Sequence, residues 1–256
     1  MNVDFIILAA GKGTRMGGDS PKVLANLAGK PMIQHLIDTI DSFPKSSTSI
    51  IVGHKAKEVE TGISSSKKIN FIHQKKQLGT AHAVKQALPY LKKNSISLIL
   101  YGDVPLVEKT TLKKLINSAA KGNLSLLTFI KDDPTGYGRI IRGSKSSVQK
   151  ITEHKDATNQ ERQIKEVNSG IMAVRSDLLQ KLLPAIKNQN AAKEYYLTDL
   201  VEIANAFSIK VGATICDAYE VGGANDRQEL HDLERALQKK IASSLLQKGV
   251  TVADTA

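Results

Sequence analysis

Asp103 follows an apolar run, Ile96 to Tyr101, with only Gly102 between them. A buried strand there would deliver one carboxylate to a fixed place, and carboxylate oxygens are hard donors suited to Mg²⁺. Taken alone, a Gly-Asp pair is ordinarily a turn or a helix cap. A second set changes the balance. Near the start, the apolar run Phe5 to Ala10 breaks into Gly11-Lys12-Gly13-Thr14-Arg15-Met16, and Ser20-Pro21-Lys22 follows. Glycines let backbone N–H groups approach a ligand, and with the cations Arg15 and Lys22 nearby they favour a polyphosphate. Beside such a loop, Asp103 reads better as a metal ligand than as a cap.

Two familiar phosphate loops fail on spacing. A dinucleotide fingerprint needs G-x-G-x-x-G, but Gly11 and Gly13 are followed by Thr14-Arg15-Met16-Gly17, one residue too many. The acidic residue expected about 20 positions later is also misplaced, since Asp38 falls inside a helical pattern. A P-loop needs lysine after its last glycine, and Asp19 stands there after Gly18.

Further polar residues cluster in short segments. Gln74, Gly79 and Thr80 lie in HQKKQLGT, where glycine and hydroxyl before a helix could bond a base edge or simply cap the helix. Gly136-Tyr137-Gly138-Arg139, Glu153-His154-Lys155-Asp156 and Asn168-Ser169-Gly170 sit at the ends of strand-like runs. Together they could read the hydroxyls and amide of a sugar; singly, each is as readily a turn.

The elements that would position these residues alternate. Pro31 opens a helix with Met32, Ile33, Leu36, Ile37 and Ile40 on one face. A short strand at Ile50 to Val52 ends at Gly53, Thr80 caps a helix through Leu91, and Ile96 to Tyr101 is a strand. Helix 111–120 and strand 124–130 follow. This β-α order predicts an α/β fold, a mainly parallel sheet flanked by helices, with ligands outside the carboxyl ends of the strands. Runs at Arg139–Arg142, Val148–Glu153 and Val167–Val174 predict a small antiparallel insertion or lid. Glu194 to Phe207 reads as helical and Val211 to Cys216 as a strand. Arg227 to Lys248 reads as a long C-terminal helix stopped by Gly249.

Composition narrows the classes. At 256 residues and 41% hydrophobic, the chain suffices for one large domain. Cys216 is the only cysteine, which excludes an intrachain disulfide and a cysteine-based zinc site. The net charge of +11 comes from scattered pairs such as Lys67-Lys68, Lys75-Lys76 and Lys239-Lys240, with no tryptophan and 4% aromatics. That pattern fits solvated faces and attraction of anionic small molecules rather than nucleic-acid binding. No apolar run approaches membrane-spanning length and no secretory signal is evident, so the expectation is cytoplasmic, without membrane partners.

The segments LAAGKGTRM, SPKVL, QLGTAHA, YGDVPL, DDPTGYGRI, EHKDAT, EVNSGI, EYYLTDL and GGANDR occur in this order from Phe5 to Arg227. The chain thereby resembles the sugar-nucleotide pyrophosphorylases, most of all the bacterial N-acetylglucosamine-1-phosphate uridyltransferases. The first motif indicates a nucleotidyltransferase, and GYGRI, EHKDAT and EYYLTDL narrow the sugar to N-acetylglucosamine. The resemblance implies a Rossmann-like nucleotide-diphospho-sugar transferase fold. It implies Mg²⁺-dependent formation of UDP-N-acetylglucosamine and pyrophosphate from UTP and N-acetylglucosamine-1-phosphate, for cell-wall and lipopolysaccharide precursors.

Carried over residue by residue, the resemblance assigns Leu8, Ala9, Ala10 and Gly11 to the base, and Arg15 and Lys22 to the phosphates. Gln74, Gly79 and Thr80 read the uracil side. Tyr101, Gly102 and Asp103 line the substrate site, Asp103 and Asn225 hold the metal, and Gly138, Glu153 and Asn168 contact the sugar. Arg15, Lys22 and Asp103 are the catalytic set. One departure is Gly222, in Val221-Gly222-Gly223-Ala224-Asn225, where the family usually has glutamate; a more flexible loop is expected to loosen Asn225.

Residues 1–226 are expected to form the nucleotidyltransferase domain. Residues 227–256 are expected to be the helix and the start of a connection to an absent left-handed β-helix. No hexapeptide repeat follows, so acetyltransferase activity is not expected. The chain is expected to be monomeric, whereas the resembling full-length enzymes are trimers. The rival readings are a same-fold enzyme for another base or sugar, a non-catalytic sugar-nucleotide-binding module and, most distant, a basic nucleic-acid binder.

Overall fold

Strand β1 (Asn2–Ala9) is apolar on both faces because it is covered on both. Phe5, Ile7 and Ala9 enter one core; Ile6, Leu8 and Ala10 enter another on the opposite side. The computed structural model from which this follows describes residues 1–11, 13, 16, 20–143 and 147–254. Arg15, assigned above to the phosphates, lies outside the described residues.

After β1 come the two-residue strands β2 (Asn26–Leu27) and β3 (Lys30–Pro31), helix α1 (Met32–Asp41), β4 (Ser46–Val52) and α2 (Ala56–Thr61). Next are β5 (Ile69–His73), α3 (Thr80–Ala87), β6 (Ser95–Tyr101), α4 (Lys109–Ala120) and β7 (Leu124–Ile130). The remainder is β8 (Arg139–Arg142), β9 (Val148–Thr152), β10 (Glu166–Arg175), α5 (Ser176–Leu182), α6 (Leu200–Ala206), β11 (Val211–Ile215) and α7 (Arg227–Gln247).

The main sheet runs β11-β7-β10-β6-β1-β4-β5. Its strands are parallel except β10, which is antiparallel to both β6 and β7. Side chains of α1, α2 and α4 fill one core; those of α3, α5 and α6 fill the other. The expected α/β class and mainly parallel sheet are therefore present.

The structure departs from the expectations in three places. Strand β8 pairs antiparallel with β9 and, through Arg139 and Val167, with β10, but β10 also enters the central sheet rather than staying in the insertion. Residues 194–196 are not helical: the Tyr195 backbone bonds Leu78 and Ala81 instead, and the helix begins at Leu200 after a single 3₁₀ turn. Thr80 is the first residue of α3 rather than its cap, and its hydroxyl accepts the Leu197 N–H at 3.0 Å.

Helix α7 docks through Leu230, Leu233 and Leu237 on Leu27, Met32, Leu106 and Ala224. Farther along, Ile241, Leu245 and Leu246 are exposed. No helix among the described residues is long and apolar enough to cross a membrane.

Candidate functional site

Parallel pairing sets Leu8 beside Tyr101, and the Gly102 N–H donates to Leu8 O at 3.0 Å, so β1 and β6 end side by side. The chain past β5 joins them, with Gln74 N–H donating to Val52 O at 2.8 Å. A cavity of about 370 Å³ opens over these strand ends. Its wall includes Leu8, Ala9, Ala10 and Gly11 from the first loop, then Gln74, Gly79 and Thr80. Lys22, Tyr101, Asp103 and Asn225 complete the predicted set there. Gly102 lies just behind, where a Cβ would press on the Val23 and Ile33 side chains at 3.0 and 3.2 Å.

Among the described residues, Lys22 supplies the cation at the charged corner of the cavity. The Lys22 ammonium donates to Asp103 Oδ2 and, at 2.7 Å, to Asn225 Oδ1. The Lys22 and Asp103 side chains are only 13% and 24% exposed, so the pair is screened far less than a surface ion pair. Lys22 sits on a 3₁₀ turn that closes from Leu24 N–H to Pro21 O, which fixes the start of its side chain.

Asn225 is fixed by the entry to α7. Asp226 is the N-cap and accepts from Glu229 N at 2.9 Å, while Glu229 accepts from Asn225 N at 2.6 Å. Gly222, the departure from the family pattern, stands in a packed segment. Its backbone lies against Leu233, and Gly223 lies against the Asp103 carbonyl.

The predicted sugar residues form a second group beyond Tyr101. Asn168 N–H donates to Gly138 O at 2.9 Å, and a Cβ on Gly138 would lie 3.6 Å from Glu153 Oε2. Asn168 is the last residue of β10 in register with β7 (opposite Thr128) before an irregularity that runs to Met172, where the Ser169 hydroxyl donates to Leu127 O at 2.7 Å. Gly170 has φ +84° and abuts the Tyr101 ring, where any Cβ would stand 2.5 Å away. Among the described residues, Asn168 Oδ1 is the buried side-chain atom without a hydrogen-bond partner. Such an orphan acceptor suits a ligand hydroxyl or amide.

Electrostatics tie the two groups together. Burial raises the Tyr101 phenol well above its ordinary range, the Glu153 and Asp103 charges raise it further, and a bond with Thr80 opposes them. Burial also raises Glu153, against the bond from Thr198 Oγ1 at 3.0 Å; Asp156 adds to the rise.

Some residues in and behind the site escaped the sequence reading. Gln77 donates to Ala10 O at 2.6 Å and pins the first loop, and Thr198 orients Glu153. Both stand inside quoted segments, QLGTAHA and EYYLTDL, where their polar side chains were the available signal. Glu194 also lines the cavity.

With this geometry in hand, similarity to known proteins is informative. Residues 5–169 match the family described as the MobA-like NTP transferase domain. The chain is 47% identical over 257 residues to the bifunctional protein GlmU of Idiomarina loihiensis, covering 100% of this chain and 56% of that protein. It is 43% identical over 255 residues to bifunctional protein GlmU of Francisella tularensis subsp. novicida, covering 99% and 56%. The chain thus spans about half the length of the curated relatives it matches. A solved UDP-glucose pyrophosphorylase complexed with UDP-glucose superposes with a TM-score of 0.75 at 15% identity, covering 94% of this chain and 100% of that one, a likeness of fold. On the match across residues 5–169, the chain belongs to the MobA-like NTP transferase domain family.

Proposed function

We propose that the chain transfers a uridylyl group from UTP to N-acetylglucosamine-1-phosphate, releasing pyrophosphate and forming UDP-N-acetylglucosamine. The observation that carries this reading is the convergence of Lys22, Asp103 and Asn225 at one end of a cavity whose other wall holds Gln74, Gly79 and Thr80. The GlmU relatives, 43% and 47% identical over nearly the whole chain, support it.

A phosphate oxygen of the sugar phosphate attacks the α-phosphorus of UTP, and the bond from that phosphorus to the pyrophosphate oxygen breaks. In-line phosphoryl chemistry rests on positioning and neutralised charge rather than a protein nucleophile. Leu8, Ala9, Ala10 and Gly11 bind the base with Gln74, Gly79 and Thr80. Lys22 and Arg15 stabilise charge on the transferred and departing groups. Gly138, Glu153 and Asn168 hold the sugar, with Tyr101 and Gly102 forming the floor between.

The donor set fits a divalent cation, since a carboxylate and an amide oxygen already meet on one positive charge. Asp103 and Asn225 would hold Mg²⁺, which when bound supplies neutralisation of phosphate charge. Residues 1–226 form the catalytic unit in this reading. It works as a monomer in the cytoplasm, its partners being the small-molecule substrates, with neither nucleic acid nor membrane.

The test is a pyrophosphate-release assay with Mg²⁺, crossing four nucleoside triphosphates with a set of sugar-1-phosphates. Fastest release with UTP and N-acetylglucosamine-1-phosphate is expected. Preference for another base or sugar would overturn the assignment, as would nucleotide binding without release.

A further inference from the structure

Gln74 is the one residue of the proposed base site whose side chain has two chemically opposite ends. An amide can present either its oxygen or its nitrogen, and uracil and cytosine differ in which they accept. Uracil N3–H is a donor, whereas cytosine N3 is an acceptor. Selection between them therefore depends on which way the Gln74 amide is turned.

Its surroundings decide that. Gln74 is 5% exposed, and Nε2 lies 3.3 Å from Gly79 O and 2.9 Å from His82 Nδ1. A carbonyl oxygen can only accept, so the end facing Gly79 is the nitrogen. Its two hydrogens then go to Gly79 O and His82 Nδ1, which requires the imidazole to carry its proton on Nε2. The other ring contact, Gln86 Nε2 at 3.4 Å from His82 Nε2, is longer, and that amide already donates to His82 O at 3.1 Å. With the amide nitrogen turned to Gly79 O, the shorter contact to Nδ1 calls for the Nε2–H tautomer.

Turning the amide over would set its oxygen against the Gly79 carbonyl, and against Nδ1 as well while the ring keeps its proton on Nε2. Gly79 cannot yield. Its φ is +113°, and a Cβ there would stand 2.6 Å from the Tyr195 carbonyl oxygen. Ala81 N–H donates to that same Tyr195 O at 2.9 Å. His82 follows on α3, anchored through the same helix. Burial, and then the charge of Lys85, lower the His82 pKa and keep the ring neutral.

We infer that His82, acting with the Gly79 carbonyl, locks the Gln74 amide with its oxygen left for the base, which makes His82 a positioning residue for uracil over cytosine. The inference rests on the proposed uridylyl transfer. With the amide locked, Gln74 Oε1 accepts uracil N3–H and opposes the lone pair of cytosine N3. Leaving a buried polar group unpaired discriminates more strongly than a change of size.

Two substitutions separate a lock from mere packing. His82→Leu keeps comparable bulk and removes the acceptor; His82→Asn places an amide oxygen near the position of Nδ1. The ratio of kcat/KM for UTP to that for CTP is expected to fall about tenfold in His82→Leu, the size of one neutral hydrogen bond. The change should lie in KM, with kcat for UTP little altered, and His82→Asn should restore most of the ratio. An unchanged ratio in His82→Leu, or equal loss in both variants, would overturn the lock. A wild-type protein with no preference for UTP would instead overturn the proposed function. Nitrogen-15 NMR of the wild-type imidazole gives a readout independent of variant folding. The Nε2–H tautomer is expected, and the Nδ1–H tautomer would sink the inference.

Discussion

The Lys22 ammonium lies 2.7 Å from Asn225 Oδ1 while also bonding Asp103, so the two oxygens proposed for a metal already share one cation. A divalent ion bound by these same two oxygens would compete with the ammonium, and a displaced Lys22 would be free to meet phosphate. Replacing Lys22 by alanine removes the competitor. Tighter Mn²⁺ binding to the nucleotide-free variant than to wild type is expected by electron paramagnetic resonance, and kcat should fall roughly 10²–10³-fold. Equal Mn²⁺ affinity would show that the ammonium does not guard the site.

Asp103→Asn changes one atom and keeps the shape. It is expected to abolish divalent-dependent pyrophosphate release, a loss of at least about 10²-fold, with an unaltered circular dichroism spectrum. Release at the wild-type rate would remove Asp103 from the metal assignment.

Gly79→Ala tests the backbone that supports the base wall. The new Cβ would meet Tyr195 backbone at 2.6 Å, at a φ of +113° that side chains rarely adopt. A cost of about 1–3 kcal/mol is expected from backbone strain. In a chain of this size that corresponds to a fall in Tm of roughly 2–12 °C. The nucleotide KM should rise with it; an unshifted melt would show that the segment at Tyr195 moves freely.

Much of this arrangement is legible in the sequence, and the limits have physical causes. The strand Arg139–Arg142 and the start of α7 at Arg227 stand where local pattern puts them. Helix α5 is seven residues long and α2 six, too short for a convincing period. Strand β5 buries only Ile72 fully, so its alternation is shallow. The meeting of Lys22 with Asn225 joins residues 203 positions apart. Motif order implied that both belong to one site, but no local rule shows that they touch. The antiparallel placement of β10 between β6 and β7 is likewise a matter of long-range pairing.

Stability should carry a mark of Asp199. Burial, then the charges of Glu202, Glu153 and Asp156, push its carboxyl up to about 6 from an ordinary 3.8. The folded state thus holds this proton more tightly than the unfolded one. Asp199 makes no cost below its unfolded pKa, and the cost grows as pH climbs through the window from 3.8 to about 6. Its side chain caps no N–H of α6, so its charge can be removed without loss of a cap. Asp199→Asn is expected to raise Tm at about pH 7 and to leave it unchanged near about pH 3, in thermal melts across pH. A gain equal at both ends would assign the effect to packing.

The position of β10 also imposes an order on how the chain is completed. During synthesis β6 emerges long before its neighbour, and its open edge, Ser95–Tyr101, is apolar and extended. The edge stays unpaired until Arg175 has been made, because β10 pairs with it only through Met172 to Arg175. Strand β7, made earlier, must wait as well, since β10 separates it from β6. An apolar edge left open in this way is the kind on which chains aggregate. Closing that edge and presenting Asn168 fall to the same strand, so the sheet is sealed and the proposed sugar site assembled by one late arrival.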